Sequence, residues 1–160
     1  MKTFRQAVLA LALAGAAATA QAGIKASAIN TSNWLASSAA QSLVSLDAAG
    51  ATTLSFTLAS AGKKVLAFSA MCSVRAPAGD FLSWVDLDIV VNGVVVAPTI
   101  GNDDAFCSAN GTSSYDDYAR ATITIPIKGV AGSNTIQIKA RGNYNTMDMY
   151  FLDSVLVVFD

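Results

Sequence analysis

The sequence predicts an all-β domain, a two-sheet antiparallel sandwich of about eight strands, and three observations carry that prediction. From Thr52 onward apolar and polar residues alternate at period two, broken by Gly, Asn, Asp and Ser. Two Val/Ile-rich runs flank Asn92-Gly93, a dipeptide that tolerates positive φ at both central positions of a type I′ hairpin turn. All 11 acidic residues are Asp and none is Glu, a bias toward turns and caps and away from long surface helices.

The chain opens with Lys2 and Arg5, an apolar run led by Ala7–Leu13, and the small-x-small triplet Ala20-Gln21-Ala22. That order is the pattern of a cleavable export signal, and the apolar run is too short for a stable membrane span. Met1–Ala22 is therefore expected to be a signal peptide, with residues 23–160 forming a single domain in the secreted or periplasmic space. No Cys follows the apolar run, which argues against a lipid anchor. The 138 residues after the leader are enough for one domain with a real core.

Residues 23–50 are Ser/Ala-rich, with Trp34-Leu35 and Leu43–Leu46 as apolar islands. A short strand is expected near Ile29–Leu35 and another near Ser42–Leu46, with a helical turn over Trp34–Gln41 as the alternative. Leu54, Phe56 and Leu58 then mark a strand, and Ala59–Gly62 a turn. In Lys64–Val74 the residues Leu66, Phe68, Ala70, Cys72 and Val74 share one face, expected to be the core face.

The hairpin over Ser83–Pro98 pairs Val91 with Val94 and Ile89 with Val96 if the loop has two residues. Its apolar face would carry Val85, Leu87, Ile89, Val91, Val94 and Val96, and its other face Trp84, Asp86, Asp88, Val90 and Val95. Ile100–Arg120 reads as a long loop. Ile123, Ile125 and Ile127 define a further strand, in which Pro126 implies an edge or a bulge. Thr135–Ala140 and Met149–Phe159 complete the set. The competing architecture is an eight-stranded outer-membrane barrel, which needs apolar residues facing outward. The outward positions read as Thr, Ser, Gln, Lys and Asp, so membrane insertion is not expected.

Cys72 and Cys107 are the only cysteines, and an exported chain with an even count is expected to join them in a disulfide. Two buried free thiols are the competing reading.

The Val65-Leu-Ala-Phe68 strand, the Val90-Val-Asn-Gly93 hairpin and the closing Asp153-Ser-Val-Leu156 strand resemble the later strands of C1q/TNF-like jelly rolls. The layout is also similar to short secreted bacterial β-sandwich proteins, mostly uncharacterised. The resemblance implies a jelly-roll-like, trimer-forming or ligand-presenting domain without catalysis, and it transfers no functional residue.

The chain has no His, which removes Ser-His-Asp and Cys-His nucleophilic catalysis and most transition-metal sites. Removing Lys2 and Arg5 with the leader leaves 8 basic residues against 11 acidic, with no basic cluster, so nucleic acid is not an expected partner. Asp86 and Asp88 lie about 7 Å apart on one strand face by strand rise. They suit an acid/base pair for sugar hydrolysis, but a solvent-facing strand with polar residues in their proper place is the favoured reading. Asp103, Asp104, Asp116 and Asp117, with Asn102 and Asn110, supply enough oxygen atoms for a candidate Ca²⁺ site; no other cofactor is expected. Trp84, Tyr115, Tyr118 and Tyr144 are candidates for an aromatic platform on which a sugar ring stacks, unless they merely cap the ends of the sandwich. The expectation is a non-enzymatic domain that binds a ligand, a glycan among them, or a protein partner through its loops. The alternative is an assembly subunit forming a jelly-roll oligomer such as a homo-trimer.

Overall fold

A computed structural model of the chain describes residues 23–37, 40–75, 83–97, 105–109, 118–143 and 147–160. Eleven strands and no helix occur among them: β1 (Ile24–Asn30), β2 (Trp34–Ser37), β3 (Ser42–Leu43), β4 (Leu54–Leu58), β5 (Gly62–Arg75), β6 (Trp84–Val91), β7 (Val94–Ala97), β8 (Ala105–Ser108), β9 (Ala119–Gly129), β10 (Gly132–Gly142) and β11 (Asp148–Phe159). They form two antiparallel sheets. In the first, β11 lies between β5 and the tandem pair β1 and β2, and β9 flanks β5. In the second, β10 pairs with β6 on one side and with β3 and β4 on the other, while β7 and β8 share the far side of β6.

Period-two alternation fixes the core. Leu66, Phe68, Ala70, Cys72 and Val74 of β5 are buried, as their spacing predicts, together with Met149, Phe151, Leu156 and Val158 of β11. Val85, Leu87, Ile89 and Val91 of β6 and Ile136, Ile138 and Ala140 of β10 meet them from the second sheet. Trp34 stacks on Phe151 at 5.0 Å, and Phe106 and Phe68 close the cluster around the same ring. Cys72 and Cys107 are joined by the expected disulfide, which ties β5 of one sheet to β8 of the other. Pro126 sits exposed on β9, whose only strand partner among the described residues is β5; this is the edge position that a residue without an N–H requires.

The strand count exceeds the expected eight or so because one expected strand is two and a further short strand, β8, lies inside the expected long loop. The strand expected over Ile29–Leu35 is two strands, β1 and β2, broken at residues 31–33. Asn30 makes the break: its Nδ2 donates to the Ser45 carbonyl at 3.0 Å, and its Oδ1 accepts from the Ser32 N–H at 2.8 Å. The partner strand β11 changes register between Leu152 and Val155 at the same place, with Asp153 at φ 46°. Trp34–Ser37 is extended, so no helical turn begins at Trp34. The expected Ser42–Leu46 strand is only Ser42–Leu43, although the Val44 N–H still donates to the Ile138 carbonyl at 2.9 Å. The long loop expected over Ile100–Arg120 contains β8 and the start of β9.

The hairpin turn forms as predicted, with Asn92 at φ 51° and Gly93 at φ 82°. Its register departs one step farther along: Val91 pairs with Val94, but Ile89 pairs with Ala97 and not with Val96. β7 lies at the end of the second sheet's strand order, and Val94 and Val96 are exposed where burial was expected.

The outward side of the first sheet is also not the polar face that the sequence reading assumed. Val65, Ala67 and Met71 of β5 and Val155, Val157 and Phe159 of β11 point away from the core and are half-buried. Both strands thus carry apolar residues on both faces, interrupted on the outward side of β5 by Ser69 and Ser73, and among the described residues the sheets do not close into a barrel.

Candidate functional site

The strand registers send two kinds of connection to the two ends of the sandwich. At one end, Gly62 lies opposite Gly129, Leu58 opposite Gly132, and Val91 opposite Val94, so the turns there are short. At the other end, Ser37 and Arg75 both lie opposite Asp148, Trp84 opposite Ser108, Val85 opposite Gly142, and Cys72 opposite Ala119. These strand ends lead into the longer connections, which carry most of the candidate binding residues.

Two of those candidates are described. Trp84 opens β6 and is half-buried; its N–H donates to Asn143 Oδ1 at 2.8 Å, and its carbonyl accepts from the Asn143 N–H at 3.1 Å. Tyr118, also half-buried, immediately precedes Ala119, the register partner of Cys72. Cys107 pairs with Val85, next to Trp84, and Cys72 with Ala119, next to Tyr118, so each aromatic residue lies one position along the chain from a register partner of the disulfide. Asp103, Asp104, Tyr115, Asp116, Asp117 and Tyr144, with Asn102 and Asn110, lie outside the described residues. Among the described residues no three His, Cys, Asp or Glu side chains group as metal ligands.

Asp86 and Asp88 share an outward face of β6, as their spacing predicts, but that face is not open to solvent. They are 6% and 8% exposed, and Val90 on the same face is 4% exposed. A solvent-facing strand is thus the wrong description of this pair. Arg141 lies directly opposite Asp86, and Lys139 directly opposite Asp88, where opposite charges stabilise a sheet. Gln41 Nε2 also donates to Asp88 Oδ2 at 2.6 Å. The clue in the sequence was Val90: an apolar residue following two aspartates on one face marks a covered face.

A second charged cluster lies at the short-turn end, where sequence reasoning placed nothing. Asp160 accepts from Lys25 Nζ at 2.6 Å and from Lys64 Nζ at 2.8 Å, beside a cleft of about 300 Å³ that Thr57 and Ser60 also line. The hydrogen bond from Lys25, and then that from Lys64, hold the Asp160 carboxyl below its usual value of 3.8. A depressed carboxylate adds stability above its unfolded pKa, and that stability is lost as pH falls through the folded value. Asp160→Asn should therefore flatten the fall in melting temperature below about pH 4. Melting curves recorded from pH 2 to 6 check this, and an unchanged acid limb would show that the bridge contributes nothing to folding.

The chain matches no protein-family profile and no curated protein. Among solved structures it is similar to a family 35 carbohydrate binding module from an environmental isolate, at 16% identity and a TM-score of 0.42, covering 87% of this chain and 88% of that one. It is also similar to a family 35 carbohydrate binding module from Clostridium thermocellum, at 16% identity and a TM-score of 0.39, covering 82% and 96%. A third is the CBM22-1 xylan-binding domain from Paenibacillus barcinonensis, at 11% identity and a TM-score of 0.34, covering 86% and 95%.

Proposed function

We propose that this chain is a non-enzymatic binding domain that holds a glycan at the end of the sandwich that carries Trp84, Tyr118 and the disulfide. The observation that carries the reading is the convergence of strand ends there, where Trp84 and Tyr118, both half-buried, each adjoin a register partner of the disulfide. Aromatic rings offer a flat apolar face for the C–H side of a sugar ring, and neighbouring amides and carboxylates take its hydroxyls. The disulfide restrains the strand ends that carry these residues, and a rigid site lowers the entropy lost on binding. Met1–Ala22 acts as a cleaved leader in this reading, and the protein works in the secreted or periplasmic space, where a disulfide persists. Asp103, Asp104, Asp116 and Asp117 remain the candidate calcium ligands of this proposal.

Glycan-array screening of the purified protein tests the reading. The expected result is retention of at least one glycan class, weakened tenfold or more by Trp84→Ala and by Tyr144→Ala, with circular dichroism confirming that both variants fold. Absence of binding to every glycan would reject it. An unchanged melting temperature in millimolar Ca²⁺ would remove calcium from the proposal.

A further inference from the structure

The basic side chains after residue 22 all lie on strands, and most of them stand beside or opposite an acceptor. Lys25 and Lys64 share the Asp160 carboxylate. Arg75 lies opposite Asp148, Lys139 opposite Asp88, and Arg141 opposite Asp86. Arg120 Nη1 donates to the Asp153 carbonyl at 3.4 Å. Lys63 of β5 and Lys128 of β9 are the exception. They are register partners, like charges directly opposite each other, and neither makes an ion pair among the described residues.

The two lysines line one cleft of about 510 Å³ at the short-turn end of the sandwich, with Gly62, Pro126 and Ile127 completing its wall. Lys63, Pro126 and Lys128 are exposed. Pro126 stands two positions from Lys128 and so shares its face, which gives the cleft an apolar ledge beside its cations. Lys64 Nζ lies 3.8 Å from the place of a Cβ on Gly62, so a third ammonium borders the same glycine, its charge met by Asp160. Lysine on an edge strand blocks pairing with another chain, and that accounts for Lys128 on β9. It does not account for Lys63, because β5 lies between β9 and β11.

We infer that this cleft binds a phosphate monoester of a small molecule, with Lys63 and Lys128 taking the phosphate and Pro126 the carrier. Cβ atoms of register partners on one face stand about 5 Å apart, and the flexible stems of two lysines can bring both ammonium groups onto one anion. A monoester carries about −1.5 to −2 charge and three acceptor oxygens, enough to meet both cations in one group. A carboxylate or a sulfate ester carries a single charge and leaves one lysine uncompensated. A cleft of this volume also holds more than the bare ion. It lies at the end of the sandwich away from Trp84 and Tyr118, so the inference stands apart from the glycan reading.

Titration of the purified protein with phenyl phosphate at low salt, followed by amide NMR shifts, tests the site. Saturable shifts are expected at residues 62–64 and 127–129, fading as salt is raised. Lys63→Gln and Lys128→Gln should each weaken binding about fivefold, and the two together about 25-fold. Melting temperature should hold or rise in both variants, because each relieves a like-charge pair; lysines that served only the fold would lower it when replaced. Arg75→Gln removes the same charge at the other end and should leave the affinity unchanged. Phenyl sulfate should bind more weakly, and so should inorganic phosphate, which has no carrier to lay on Pro126. Absence of saturation, shifts scattered over the surface, or equal losses in Arg75→Gln and the lysine variants would overturn the inference. Equal affinity for phenyl sulfate would overturn the choice of phosphate, and equal affinity for inorganic phosphate the role of Pro126.

Discussion

Replacing Cys72 and Cys107 together by alanine should lower stability by about 3–4 kcal/mol, the loop-entropy value for a bridge across 34 intervening residues. For a domain of this size that is a fall in melting temperature on the order of 10 °C. The location of the bridge adds a local effect. β8 has four residues, and its strand pairing is confined to the Trp84–Asp86 stretch of β6. Its other anchors are the bond to buried Cys72 and the packing of Phe106 against Phe68 and Phe151. Without the disulfide, amide exchange should therefore rise first in β8, before the rest of the second sheet. Calorimetry with and without reductant, followed by hydrogen exchange, checks both parts. A loss under 1 kcal/mol would mean that packing alone holds β8 against the first sheet.

Phe151→Ala is expected to destabilise by about 3–5 kcal/mol, as for other aromatic truncations in close-packed cores. The residue is 1% exposed and lies between Cys72 of β5 and Trp34 of β2 in the register of the first sheet. Its ring stacks on Trp34 and meets Phe106 edge-on at 5.6 Å, so its loss frees both short flanking strands at once. Against a total stability of about 5–15 kcal/mol, such a change is close to unfolding. Thr124→Ala on the exposed side of β9 serves as the control, with an expected effect within about 0.5 kcal/mol. Urea denaturation of the three proteins measures both, and a cost below about 1.5 kcal/mol for Phe151→Ala would show that the cluster collapses to fill the cavity.

The parts of the fold legible in the sequence were those written in neighbouring residues. The Asn92-Gly93 turn needed only two residues that accept positive φ, and the core face of β5 needed only alternation. Pro126 declared an edge because it has no N–H to give. Short strands were harder to read: β8 has four residues, and its partners lie about twenty positions earlier. The Asn30 break in the first strand depends on the Ser45 carbonyl, which no local pattern reveals. Of the candidate site, Trp84 and Tyr118 were found by residue type, but their shared place beside the disulfide came from the registers of β6, β8 and β9.

By itself the sequence determined an all-β chain, the faces on which its longer strands divide their residues, and the pairing of its two cysteines. Only the tertiary structure decided what covers each face. Asp86 and Asp88 looked solvated and are buried, while Val94 and Val96 looked like core and are exposed. Alternation fixes which side chains stand together, because successive residues of a strand point to opposite sides. Which side meets another sheet depends on pairings between distant segments, and those are settled only when the whole chain has folded.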